Sequence, residues 1–449
     1  MAIPKVLIIA GSDSGGGAGI QADLKAVAAL GAHGMTAITA LTAQNTTGVQ
    51  GVHPVPLDFV RAQFNSVASD LGFDAVKTGM LHSAELVTLV AELLKSADAP
   101  LVVDPVMAAK GGDKLLADDA VEALRDKLLP LAALVTPNLD EAAELLGRPI
   151  NNPDQMKQAA AELVQMGAGA ALVKGGHLAD DPRDVLYDGE NYHEFAAARI
   201  ETTHTHGTGC TLASACAALL AAGWELAPAV ERARLLVRRA IAGGLPIGQG
   251  HGPVNPMADL EPRLRLGPCM KEMQAALRRL EDTPGLAGMI PEIRGQMGYA
   301  LPGAVGFDEV LAVPGRITDI GDRLKAVGAP WPGASQHVAK IVLTAIKADP
   351  AKRAAMALNF SDSLVERAKA LGWQVGEFSR ADEPDHIKQK EGSSLEWGTA
   401  SVIQKMGKVP DAIFDRGEVG KEPVLRILGS NPAELVNMVL ALAGKEDKS

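Results

Sequence analysis

Cysteine is scarce: Cys210, Cys216 and Cys269 are the only three in 449 residues, and they form no CxxC pair and no even framework. That pattern argues against a disulfide scaffold and suits a reducing cytosol, so a cytoplasmic location is expected. Basic excess is missing as well. The net charge is −11 and no Lys/Arg cluster stands out, so nothing points to nucleic acid. Long apolar runs are lacking too. Val6–Ala10 is too short for a signal peptide or a membrane span, and the Ala/Leu run after Cys210 reads as a buried helix. No internal repeat, low-complexity tract or heptad array is found. Aromatics make up 3%, against 47 glycines, 47% hydrophobic and 22% charged residues, which fits an α/β protein with many tight turns. The length implies two or three domains.

What is present is an alternation. Apolar runs end abruptly at glycine or a polar residue, and a helical pattern follows each. Val6–Ala10 precedes the Gly-rich Gly11–Gly19 loop and a helix from Ile20 to Leu30 that carries Asp23 and Lys25. Met35–Ala40, Ala75–Lys77, Leu101–Asp104, Leu134–Thr136 and Ala171–Lys174 repeat the strand pattern. Helices are expected at Leu57–Leu71, Ser83–Lys95, Cys210–Ala222 and Leu226–Ala242, and a hairpin at Asp184–Ala196. Strand, loop, helix in repetition means a mostly parallel sheet with helices on both faces, and ligands bind at the C-terminal strand ends of such sheets. The Gly-rich loop has neither Walker nor GxGxxG spacing, so it is assigned to close approach around a small substrate. A polar, proline-bearing stretch places a linker at 263–269, between units 1–262 and 270–449.

The chemistry gathers at those strand ends. His206-Gly207-Thr208-Gly209-Cys210 opens a helix, where two glycines allow first-turn amides to cradle an anion. The same terminus is expected to lower the Cys210 thiol and make it a base. Asp104 and Glu141 are candidate Mg²⁺ ligands, through waters. Lys174 is placed to neutralise phosphate oxygens. Together these four functions are what phosphoryl transfer to a hydroxyl requires. Taken singly, Asp104 is equally a turn residue before Pro105, Glu141 a first-turn acid and Lys174 a solvated strand end.

Residues 1 to about 260 resemble hydroxymethylpyrimidine and hydroxymethylpyrimidine-phosphate kinases of the ribokinase-like superfamily. The resemblance rests on Ala10–Lys25, Thr42-Ala-Gln-Asn-Thr46, Lys77-Thr-Gly-Met80, Val103-Asp-Pro-Val-Met107, Thr136-Pro-Asn-Leu-Asp-Glu141, Val173-Lys-Gly-Gly176 and His206–Thr211. It implies a three-layer sandwich, ATP-dependent phosphorylation of the pyrimidine alcohol and then of its monophosphate, and a homodimer. It puts Cys210 where most sugar kinases of the superfamily carry Asp. Gly11, Asp23, Gln44 and Met80 fall at the pyrimidine-contact positions; an amide such as Gln44 can donate to and accept from an aminopyrimidine edge. Pyridoxal kinase is the rival reading of this unit.

From about Pro268 the elements shorten, and Leu311–Val313, Ala355–Leu358, Gln374–Phe378, Ala412–Phe414 and Val424–Leu428 read as strands of a smaller α/β or α+β domain. Arg416 and Lys421 in the turn Asp415–Pro423 are candidate phosphate-binding residues. This unit resembles archaeal-type thiamine-phosphate synthase domains, on Gly288-Met-Ile-Pro-Glu292, Val313-Pro-Gly-Arg-Ile317, Ser335-Gln-His-Val-Ala339, Leu395-Glu-Trp-Gly398 and Phe414–Pro423. The resemblance implies condensation of hydroxymethylpyrimidine diphosphate with a thiazole phosphate, and puts Arg316 and His337 at catalytic positions. One departure stands out: Asn359-Phe-Ser-Asp362 replaces a common Asn-Ile-Arg-Tyr. The chain therefore reads as a bifunctional thiamine-biosynthesis enzyme acting on small molecules, with no nucleic acid or membrane partner. The alternative is a kinase carrying a non-catalytic thiamine-phosphate sensor.

Overall fold

The computed structural model describes residues 2–107, 118–176, 178, 182–384, 387, 394–418 and 420–445. The chain divides into two compact units, Met1–Leu260 and Glu261–Ser449.

Unit 1 is built on strands β1 (Lys5–Asp13), β2 (His33–Asn45), β3 (Gly48–Pro54), β4 (Ala75–Thr78), β5 (Leu101–Val103), β6 (Leu134–Val135), β7 (Ala171–Val173), β8 (Arg183–Tyr187) and β9 (Tyr192–Ala196). They form one sheet in the order β3-β2-β1-β4-β5-β6-β7-β8-β9. The stretch from β2 to β7 is parallel, while β3 at one edge and β8 and β9 at the other are antiparallel. Helices α1 (Gly19–Ala29), α2 (Leu57–Asp70), α3 (Ala84–Leu94), α4 (Asp118–Ala123), α5 (Leu139–Leu146), α6 (Pro153–Gln165), α7 (Thr208–Ala221) and α8 (Leu226–Ala242) cover it.

The period of two along β1 shows why this is a three-layer sandwich. Leu7 and Ile9 pack with α2, α3, α5 and α6, whereas Val6, Ile8 and Ala10 pack with α1, α7 and α8. Each fully buried aliphatic side chain of this kind contributes about 1.5–3 kcal/mol. Strand β2 runs on through Thr42–Asn45, which the sequence reads as a loop, because β3 folds back to pair with it from Asn45 to Ala40.

Unit 2 opens with α9 (Glu261–Asp282). The linker expected at 263–269 is therefore helical, with Pro268 inside the helix. Arg263, Leu264, Arg265 and Leu266 are good helix formers, and one proline removes a single backbone donor without ending the run. Strands β10 (Gln296–Ala300), β11 (Val310–Ala312), β12 (Ile317–Asp319), β13 (Leu324–Ala326), β14 (Trp331–Pro332), β15 (Ala354–Asn359), β16 (Val375–Glu377), β17 (Ala412–Asp415) and β18 (Val424–Gly429) follow. All except the β12–β13 pair join a sheet ordered β14-β11-β10-β15-β18-β17-β16. Among the described residues of this sheet only β16–β17 is parallel, so this unit is α+β in character. Helix α10 (Gln336–Ala348) and the helix Ser394–Met406 pack on one face, and α9, α11 (Asp362–Ala370) and the helix Pro432–Ala443 on the other.

Candidate functional sites

In unit 1 the C-terminal strand ends bring four of the expected residues together. Asp104 follows β5 and is 2% exposed. Lys174 follows β7, and its Nζ lies 3.3 Å from Asp104 and 3.8 Å from Glu141. A methyl group on Gly209 would stand 3.2 Å from that Nζ, so the first turn of α7 rests on the same cluster. Burial alone would lower the Lys174 ammonium, but Asp104 and Glu141 reverse this and hold it above its ordinary value. It is thus a permanent positive charge. Glu141 is pushed up to about 7, first by burial and further by Asp104, against Lys174 and the Asn138 N–H. It also closes a capping box, accepting from the Asn138 N–H at 2.7 Å while the Asn138 side chain accepts from Glu141 N–H at 2.9 Å. Glu141 is thus the first-turn acid of α5 and at the same time a neighbour of Lys174.

Gly207 is the N-cap of α7, with φ of 85°, and a Cβ there would fall 1.8 Å from the Gly17 carbonyl oxygen. Glycine is required on both grounds. The Gly-rich loop is closed by Asp13, whose carboxylate accepts from the N–H groups of Gly15, Gly17 and Ala18, and it is pinned by His206 at 3.1 Å. The close approach made by this loop is to the segment carrying His206 and Gly207. Thr208, expected to bind phosphate, donates its hydroxyl to the Thr205 carbonyl at 2.7 Å. The cradle is left with the Gly209 and Cys210 amides of the first turn.

Cys210 departs from expectation. The helix terminus does not lower its thiol; burial pushes it up to about 12, with Lys77 opposing and Asp23 and Asp104 adding to the rise. Desolvation outweighs the dipole here. Asp23 is also not where the sequence puts it. Its carboxylate is fully buried, 2.9 Å from the Lys77 ammonium and 2.7 Å from the Ser214 hydroxyl, so it forms an internal ion pair behind the site and no substrate surface. Burial by itself would lower Lys77, and Asp23 beside it more than compensates, keeping it charged. Gly11 and Met80 do meet, since a methyl on Gly11 would be 3.3 Å from the Met80 sulfur. Gln44 lies against Thr42 and His206.

In unit 2 a cavity of about 830 Å³ is lined by Arg294, Arg316, His337 and Lys340, with Gln296 and Ser335 among its other walls. Arg316 and His337 are thus brought together. His337 sits in the first turn of α10, and burial, then Arg316, Lys340 and Arg426, hold its imidazole below the ordinary value. It is neutral at pH 7. The phosphate-binding residues expected at Arg416 and Lys421 are elsewhere. Arg416 is exposed and paired to Glu377 and Asp362 at 3.0 and 3.1 Å, and Lys421 is paired to Glu418. Val419 in the same turn lies outside the described residues. The altered segment after Asn359 serves this surface: Phe360 stacks on Phe414 at 5.3 Å, and Arg416 lies over both rings.

The family model for phosphomethylpyrimidine kinase matches residues 13–255. The chain belongs to the phosphomethylpyrimidine kinase family. A second model, thiamine-phosphate synthase ThiN, matches residues 272–441. The hydroxymethylpyrimidine/phosphomethylpyrimidine kinase of Streptomyces coelicolor is 56% identical over 252 residues, 56% of this chain and 94% of that protein. The thiamine biosynthesis bifunctional protein ThiED of Geobacter sulfurreducens is 53% identical over 252 residues, 56% of this chain and 51% of that protein. Among solved structures, Bacillus subtilis pyridoxal kinase in an ADP complex matches at TM-score 0.54 and 39% identity, covering 57% of this chain and 98% of that one. Staphylococcus aureus pyridoxal kinase with AMP-PCP matches at TM-score 0.55 and 39% identity, covering 57% of this chain and 95% of that one. The chain thus joins a phosphomethylpyrimidine kinase of ribokinase-like fold to a thiamine-phosphate synthase domain.

For a phosphomethylpyrimidine kinase, a magnesium ion is implied. Its fit rests on the donor set: two buried carboxylates beside a lysine, one of them protonated up to about pH 7 by burial and by the other acid. Mg²⁺ takes one or two carboxylates plus phosphates and waters, so this pair suits it. Several residues that shape the two sites escape a linear reading. Lys77 had a signal, since a lysine inside the fully buried strand β4 needs a buried partner. Ser214 lies one turn after Cys210 on α7 and shares its face. Arg294 and Lys340 carried no signal of their own.

Proposed function

We propose that unit 1 phosphorylates 4-amino-5-hydroxymethyl-2-methylpyrimidine and then its monophosphate from ATP, and that unit 2 condenses the diphosphate with a thiazole phosphate. The observation that carries the kinase half is the convergence of Asp104, Glu141, Lys174 and the first turn of α7 at one sheet edge. Lys174 and the Gly209 and Cys210 amides bind and orient the transferred phosphoryl group and meet its negative charge. Asp104 and Glu141 hold Mg²⁺, which when bound supplies positive charge against the ATP phosphates. Cys210, which burial keeps as a neutral thiol by pushing it up to about 12, orients the substrate hydroxyl without taking its proton, and that proton passes late to a phosphoryl oxygen, as a loose transition state permits. Gly11 and Met80 form the apolar side of the pyrimidine site and Gln44 its polar side.

In unit 2 the pyrimidine C–O bond breaks with its electron pair leaving on pyrophosphate, and the thiazole nitrogen supplies the pair for the new C–N bond. Arg316 meets the charge that develops on the leaving group, and a neutral His337 adds a hydrogen bond without opposing it. A homodimer and a cytoplasmic location belong to the same reading. The relatives named as pyridoxal kinases favour testing pyridoxal as a second substrate. The test is one reaction with purified protein, ATP, Mg²⁺, hydroxymethylpyrimidine and thiazole phosphate. Thiamine phosphate is expected; accumulation of the diphosphate alone would reject the synthase half and leave a sensor domain.

A further inference from the structure

The cavity of unit 2 has two walls built alike. Arg294 and Arg316 both have φ of 72°, and among the described residues they are the non-glycine residues in the left-handed region. Each immediately precedes one member of a reciprocal backbone pair: Gly295 N–H donates to the Ile317 carbonyl and Ile317 N–H to the Gly295 carbonyl, both at 2.9 Å. The Arg316 guanidinium donates to the carbonyl of Ile293, next to Arg294. On the other side, the Glu422 carboxylate accepts from the N–H groups of Glu292 and Ile293, each at 3.1 Å. Gln296, 8% exposed, donates to the Val313 carbonyl and accepts from the Val313 N–H, which fixes the turn leading to Arg316. The loop bearing Arg294 is therefore held from three directions in a strained conformation that over-determined surroundings alone sustain.

That conformation delivers Arg294 to a wall already carrying Arg316 and Lys340, and among the described residues no Asp or Glu lines the cavity. Among the described residues no side chain or carbonyl is bonded to the Arg294 guanidinium. Like charges collected at one wall call for an anion of high charge, and two guanidinium forks match the oxygens of a diphosphate better than those of a single phosphate.

We propose that Arg294 is a second diphosphate-binding residue of the synthase site, gripping the pyrimidine diphosphate together with Arg316. Glu422 is a positioning residue that holds the Arg294 loop. This deepens the synthase reading and rests on it. The turn singled out for Arg416 and Lys421 contributes to the site through Glu422.

The experiment supplies hydroxymethylpyrimidine diphosphate and thiazole phosphate directly to the full-length protein and follows thiamine phosphate formation, with inorganic pyrophosphate as product inhibitor. Charge-assisted hydrogen bonds of this kind set the scale. Arg294→Ala is expected to raise the KM for the diphosphate and the inhibition constant of pyrophosphate together, by about 10- to 100-fold, with the KM for thiazole phosphate unchanged. Arg294→Gly relieves the backbone strain, so it should show the same loss with a Tm equal to or above that of the wild type. Glu422→Gln is expected to raise the diphosphate KM by several-fold, roughly, at unchanged kcat, which a merely structural defect would not do. Kinase activity of unit 1 serves as the internal control in every variant. Wild type active with Arg294→Ala within about twofold of it on both constants would overturn this proposal alone. Wild type that forms no thiamine phosphate from these substrates would overturn the synthase reading and the proposal with it.

Discussion

Replacing Glu141 by Gln separates what this residue does for folding from what it does for catalysis. Gln serves at the third position of a capping box as Glu does, so the N-terminus of α5 stays closed. The charge is removed, and Lys174 keeps Asp104 at 3.3 Å. The Glu141 carboxyl stands at about 7 in the fold, against 4.5 as its ordinary value. Between those values the folded chain keeps a proton that the unfolded chain has released, so stability falls as pH rises through the window. Above pH 7 the whole penalty is present. A shift of this size corresponds to about 3 kcal/mol, and below about pH 4.5 it vanishes. Glu141→Gln should therefore match the wild type at pH 4.5 and exceed it at pH 8.5, by roughly 6–12 °C in the Tm of unit 1. Calorimetry at the two pH values measures this, with the unit 1 transition identified by its shift on adding AMP-PCP. Mg²⁺ at pH 8.5 should raise the wild-type Tm and leave the variant unmoved, while kinase activity of the variant is lost. A variant less stable than wild type at pH 8.5, or a difference independent of pH, would refute the reasoning and make Glu141 an ordinary capping acid.

Lys77→Met strands the Asp23 carboxylate in the core with Ser214 alone, and should cost about 3–5 kcal/mol in urea unfolding; adding Asp23→Leu should recover most of it. Arg416→Ala and Lys421→Ala remove exposed pairs, so each should leave the urea midpoint close to that of the wild type and the synthase KM values unaltered. A large rise in either KM would return the phosphate site to that turn.

The sheet edge of unit 1 was legible because parallel strands buried on both faces read as apolar runs, and a run that stops at Asp104 or Lys174 marks a strand end. Gly207 and Gly209 marked a turn into a helix for the same kind of reason. What stayed hidden depends on contacts between distant segments. Asp23 and Lys77 are separated along the chain and meet only once α1 packs on β4, so Asp23 looked available to substrate. The Cys210 thiol followed burial over helix dipole, and burial is a property of the finished site. Arg416 and Lys421 looked like a phosphate loop because their partners, Asp362 and Glu377 for the former, come from other elements. Arg294 owes its place to a left-handed backbone that no propensity assigns to arginine. The helical course of 263–269 shows a proline tolerated inside a helix even with Gly267 before it.

The most direct test of a two-site enzyme is to break each site singly and follow the intermediate. With ATP, Mg²⁺, hydroxymethylpyrimidine and thiazole phosphate, Arg316→Ala should accumulate hydroxymethylpyrimidine diphosphate and form little thiamine phosphate. Cys210→Ala should form neither from the alcohol, yet should make thiamine phosphate at the wild-type rate when the diphosphate is supplied. Thiamine phosphate formed at the wild-type rate by Arg316→Ala, or none formed by Cys210→Ala given the diphosphate, would contradict the account.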